Sequence, residues 1–114
     1  MKDVSLDDAL TKTFHLDAET TLLLYSVSGC LPCDIMEQAI SSLEINTFRN
    51  LQLLRVKLDQ QNKRELGKAV LNGISSFPRL DLFVGTNLSR SMVGAVLNTD
   101  GGAVKNSIEQ FISQ

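Results

Sequence analysis

The run Cys30-Leu31-Pro32-Cys33 holds the only two cysteines of the chain. It follows an apolar stretch and opens a segment of helical periodicity. Residues at i and i+3 share a face of a helix's first turn, close enough to bridge with little backbone movement. The start of a helix carries unpartnered N–H groups and a partial positive charge, and both favour a thiolate. A thiolate beside a second thiol is what thiol–disulfide exchange requires. Zinc is the rival use of such a pair. It takes about four ligands, and only His15 is available beyond the cysteines, so a metal is expected only if two chains share a site. Nothing in the chain asks for an organic cofactor, and His15 is given no role.

Several elements must position this pair. Ser5 to Thr13 reads as a helix, with Leu6, Ala9 and Leu10 on one face and Ser5 as its cap. Thr20 to Val27 is apolar and β-branched without a break, the pattern of a strand buried on both faces. Ser28-Gly29 ends it. From Leu31 the residues Ile35, Met36, Ala39, Ile40 and Leu43 recur at helical spacing, and Met36 reads as core. Pro32 suits the first turn, where its missing N–H costs nothing. Leu51 to Leu58 alternates, with Leu54, Val56 and Leu58 against Arg55 and Lys57. Asn62 caps a helix that carries Leu66, Ala69 and Val70 and ends near Asn72-Gly73.

Arg79 to Val84 is a further strand. Asn87 is expected in the turn after Gly85, and Ser89 to Val96 as a last strand interrupted by Gly94. Asp100-Gly101-Gly102 reads as a break before a helix with Val104, Ile108, Phe111 and Ile112 along one stripe. Strands separated by helices imply parallel crossovers, and the final short turn implies an antiparallel hairpin. The fold class is therefore α/β: a mixed sheet of four to five strands with helices on both faces.

A length of 114 residues suits one domain, 1–114, and 43% hydrophobic residues suffice for a core. A net charge of −2 without a basic block argues against nucleic acid. No apolar run reaches the roughly 20 residues of a membrane span. The start, Met1-Lys2-Asp3-Val4-Ser5, lacks the apolar core of an export signal, so a cytoplasmic location is expected, although a processed chain would read the same. Two cysteines are too few for a secreted disulfide scaffold.

Cys-x-Pro-Cys at the head of the second helix, within this order of elements, resembles the thioredoxin family. Lys57-Leu58-Asp59 at a strand end, Phe77-Pro78 before the hairpin and Gly94 in the final strand extend the likeness over nearly the whole chain. The resemblance implies a thioredoxin fold and a thiol–disulfide oxidoreductase. Cys30 would attack a substrate disulfide and Cys33 would resolve the mixed disulfide. Pro78 would be cis and face the cysteines, with the Phe77 backbone, Gly29, Leu31 and Gly94 contacting an extended substrate. Pro32, Leu24 and Arg79 would tune the site, Arg79 through its charge. The implied partners are protein disulfides and a separate reductase, met by a monomer.

Three positions depart from the family pattern. Gly29 stands where a Trp usually precedes the first cysteine, Leu24 where a buried Asp is usual, and Phe77 where a small or β-branched residue is usual. Leucine cannot move a proton, which leaves a water or a neighbouring group as the base, with Asp34 and Asp59 as candidates from sequence. Two other readings stay open: an oxidant or isomerase of the same fold, and a redox-inactive or regulatory interaction module.

Overall fold

A computed structural model describes residues 1–13, 19–43, 50–94 and 101–113. In chain order the elements are β1 (Lys2–Asp3), α1 (Leu6–Thr11), β2 (Thr20–Val27), α2 (Leu31–Ser41), β3 (Leu51–Leu58), α3 (Lys63–Leu71), β4 (Arg79–Val84), β5 (Asn87–Val93) and α4 (Gly101–Ser113). His15, Val96 and Asp100 lie outside the described residues.

The unbroken apolar run of β2 becomes the centre of a five-stranded mixed sheet ordered β1-β3-β2-β4-β5. β2 runs parallel to β3 and antiparallel to β4. Every residue from Thr21 to Ser26 is buried, and alternate side chains feed two separate cores. Leu22 and Leu24 pack with Met36, Ala39 and Ile40 of α2 and with Val104, Ile108 and Phe111 of α4. Leu23 and Tyr25 pack on the other face with Leu6, Ala9, Ala69 and Ile74. Each large apolar side chain so buried contributes about 1.5–3 kcal/mol.

Local chemistry sets the helix starts. The Ser5 hydroxyl accepts from the Asp8 N–H at 3.0 Å, and the Asn62 side chain accepts from the Glu65 N–H at 3.1 Å. Lys68 of α3 pairs with Asp7 of α1.

Four details differ from the sequence reading. β1 is an added edge strand, held by pairing Lys2 with Leu54 and Asp3 with Arg55. α1 stops at Thr11 because Lys12 turns into the left-handed region, φ 56°. Asn87 belongs to β5, since Gly85 and Thr86 alone make the turn. Gly101 and Gly102 belong to α4 and not to a break before it.

Candidate active site

β2 and β3 are parallel, so their C-terminal ends lie together. The Ser28 N–H donates to the Leu58 carbonyl at 2.9 Å, and the Ser28 hydroxyl accepts from the Gln60 N–H at 2.9 Å. These bonds tie the loop before Cys30 to the end of β3. Gly29 follows with φ +71°, and a side chain there would bring Cβ to 3.2 Å from Gln60 Oε1. Backbone conformation and space both select glycine.

Cys30 is the cap of α2. Its backbone is extended (φ −113°, ψ 104°), and its sulfur accepts from the Cys33 N–H at 3.2 Å. Pro32 occupies the first helical turn. Cys30 and Cys33 are joined by a disulfide, with Cα atoms 5.2 Å apart. The two sulfurs are not equivalent: Cys30 is half-buried and Cys33 is fully buried. Between them Leu31 projects outward, 67% exposed.

β4 runs antiparallel to β2 and pairs Arg79 with Tyr25, which puts Phe77-Pro78 at the cysteine end of the sheet. The Phe77–Pro78 peptide bond is cis. Pro78 is buried, and its carbonyl accepts from the Gly94 N–H at 2.8 Å. Gly94 has φ +81° and follows Val93, the partner of Arg79. Strand order thus gathers Gly29, Cys30, Pro78 and Gly94 at one end of the sheet. The Phe77 ring is half-buried against the core that holds Tyr25 and Leu58.

Arg79 is engaged elsewhere. Its guanidinium donates to Asp81 at 2.9 Å, to the Gly73 carbonyl at 3.0 Å and to Ser91 at 3.4 Å. Ser91 in turn donates to Asp81 at 2.7 Å. Leu24 is fully buried in apolar company. Asp34 is exposed, 3.8 Å from Lys57. Asp59 is exposed, and its carboxylate accepts from the Gln61 N–H at 2.9 Å in the turn after β3.

Sequence reasoning missed one acid, Glu37. Its side chain is only 15% exposed, and it accepts from the Ser26 hydroxyl at 2.8 Å and from Lys57 at 3.0 Å, with Arg55 at 3.4 Å. Burial pushes this carboxyl up. The hydrogen bonds from Lys57 and Ser26, with the charges of Lys57 and Arg55, outweigh burial and hold it below the ordinary glutamate value. A usable signal was its place four residues after Cys33, on the same helix face.

Among the described residues no cluster of three or more His, Cys, Asp or Glu side chains could hold a metal ion, and no helix is long and apolar enough to cross a membrane.

No family model and no curated protein sequence matches the chain. Solved structures do. Thioredoxin from Fasciola hepatica is 13% identical and superposes with a TM-score of 0.70 over 99% of this chain and 97% of its own. Thioredoxin f2 from Chlamydomonas reinhardtii is 14% identical, TM-score 0.68, over 97% and 95%. The germline-specific thioredoxin Deadhead from Drosophila melanogaster is 19% identical, TM-score 0.63, over 96% and 97%. At such identities the likeness is one of fold, and the chain has the thioredoxin fold.

Proposed function

We propose that this chain, a thioredoxin fold with a Cys-x-x-Cys disulfide at a helix start, is a thiol–disulfide oxidoreductase that reduces protein disulfides. The observation that carries the reading is the asymmetry of the pair. Cys30 is reachable and its sulfur receives a helix N-terminal N–H, while Cys33 is fully buried one turn inside. A reachable sulfur at a helix start is favoured as the thiolate nucleophile, and a buried partner at bridging distance is its resolving thiol.

In the dithiol form the Cys30 thiolate attacks one sulfur of a substrate disulfide. A Cys30–substrate bond forms and the second substrate sulfur leaves as a thiolate. Cys33 then attacks Cys30, the disulfide seen here forms, and the substrate departs reduced. A separate reductase returns two electrons to the pair. In this reading the Phe77 backbone, Gly29, Leu31 and Gly94 contact the extended substrate, and Leu31, 67% exposed, offers the apolar part of that contact. Action as a monomer in the cytoplasm belongs to the same proposal.

Equilibration against a glutathione series, read by thiol alkylation and mass, tests it. A two-electron transition at or below about −230 mV supports a reductant, and one between about −180 and −120 mV supports an oxidant or isomerase. Absence of any reversible transition rejects the enzyme and leaves an interaction module. Cys33→Ser is expected to trap a substrate on Cys30, and Cys30→Ser to trap none.

A further inference from the structure

We propose that Glu37, held by Ser26 and Lys57 one helical turn beyond Cys33, takes the proton from the Cys33 thiol when the mixed disulfide is resolved. The inference rests on the oxidoreductase reading and names the group that serves its second step.

The need for such a group follows from burial. Cys33 is fully shielded, and burial disfavours a thiolate. Only the thiolate attacks a disulfide, so a neighbour must receive the proton. The strand beneath offers no acid, because Leu22 and Leu24 fill that surface. Asp34 is the next residue along the helix from Cys33, about 100° around it, and is exposed. Asp59 is exposed beyond the end of β3.

Glu37 meets the requirement. As the i+4 neighbour of Cys33 in α2, its Cβ lies about 6 Å from that of Cys33 on one helix face. The side chain reaches down to the sheet, to the fully buried Ser26. Ser26 is two residues nearer the cysteines than Leu24 and on the same strand face. All three contacts, from Ser26, Lys57 and Arg55, fall on Oε1. Oε2 has no hydrogen bond among the described residues. No buried side-chain nitrogen or oxygen among them lacks a partner, so Oε2 keeps contact with solvent. One oxygen anchors the group, and the other is open to receive a proton and pass it on.

The charged surroundings come from few elements. β3 supplies Arg55 and Lys57, and β1 supplies Asp3, which holds Arg55 at 2.6 Å. α2 itself adds Asp34 beside Lys57. β2 contributes only the uncharged Ser26, and α4 meets α2 through Val104, Ile108 and Phe111. Two cations against the carboxylate keep it ionised at neutral pH, which is the form that accepts.

The Cys33 S–H proton passes to Glu37 Oε2. The electron pair left on Cys33 forms the bond to the Cys30 sulfur, and the Cys30–substrate S–S bond breaks. The substrate sulfur leaves with that bonding pair as a thiolate and is protonated by solvent. Glu37 returns its proton to solvent.

Dithiobis(nitrobenzoate) tests the step without a physiological substrate. Attack by Cys30 releases one coloured thiolate, and attack by Cys33 on the resulting mixed disulfide releases a second. In stopped flow, Glu37→Gln is expected to keep a first phase, which reports an intact Cys30. The second phase should slow about 100-fold at neutral pH, the lower end for a positioned general base, and become proportional to hydroxide. Lys57→Gln keeps the carboxylate and removes a cation, so the acid limb of the second phase should move to higher pH. A second phase in Glu37→Gln within about twofold of the unaltered protein overturns the assignment to Glu37 alone, since a positioned base is worth far more. Loss of the second phase in the unaltered protein at every pH overturns the oxidoreductase reading itself, and the assignment with it.

Discussion

Tyr25 is the only tyrosine of a chain without tryptophan, so its ionisation can be followed alone. The phenol sits at 3% exposure in the core between the sheet and helices α1 and α3. Burial, reinforced by the Asp81 carboxylate and opposed by Arg79, pushes it from 10.0 up to about 12. Two units correspond to about 2.7 kcal/mol of preference for the neutral form, an order-of-magnitude figure. The sign follows from linkage. Below pH 10 both folded and unfolded chains hold the proton, and the contribution is complete. As pH rises from 10 through 12 the unfolded chain ionises first, and stability falls. The assay is a pH-jump titration of the oxidised protein, read by phenolate absorbance, beside urea midpoints over the same range. The expected midpoint is about 12, and Asp81→Asn should lower it by less than burial raises it. A midpoint near 10 with native circular dichroism would refute the reasoning, because a phenol this buried cannot titrate as if in water.

Three further outcomes are expected. Leu24→Ala removes a fully buried side chain and should cost about 3 kcal/mol in denaturant unfolding; a loss under about 1 kcal/mol would contradict the packing described. Leu31→Ser should leave stability within about 0.5 kcal/mol and raise KM for a protein disulfide while sparing a small one; equal effects on both would remove Leu31 from substrate contact. Glu37, and Asp3 through its hydrogen bond from Arg55, have lowered pKa values. Their stabilisation is complete above the ordinary glutamate value of 4.5 and is lost as pH falls through the folded values. Glu37→Gln should flatten that acid limb in urea titrations, and an unchanged limb would show that Glu37 adds nothing to it.

Three strands match the sequence reading to the residue: Thr20–Val27, Leu51–Leu58 and Arg79–Val84. Each is a run of apolar or alternating residues between polar turn residues, so its limits are written locally. β1 was not legible, because two residues carry no period and the strand exists only through its pairing with Leu54 and Arg55. Gly101 and Gly102 carry the weakest helix propensity short of proline, yet the helix includes them because Val104, Ile108 and Phe111 pack the segment beyond. The cysteines were legible from spacing alone. For Glu37 the sequence offered only its place four residues after Cys33, since the partners that hold it depend on the register that sets Ser26 beside Lys57. Arg79 could have been read better: Asp81, two residues on, shares its strand face, and alternation alone brings them together.

The sulfur that caps α2 has a consequence beyond exchange chemistry. In α1 and α3 the capping acceptor is an oxygen of Ser5 or Asn62, whose chemistry is fixed. In α2 it is the Cys30 sulfur, a disulfide here and, in the proposed cycle, in turn an anion and a mixed disulfide. An anionic acceptor holds an N–H about twice as strongly as a neutral one. The Cys33 amide therefore serves as a built-in reporter of the covalent state next to it. Its proton exchange with solvent and its nitrogen chemical shift are expected to change at each stage of the proposed cycle, while the amides capped by oxygen supply a reference within the same molecule. The opening turn of the helix would keep a spectroscopic log of that proposed cycle, with no dye or tag attached.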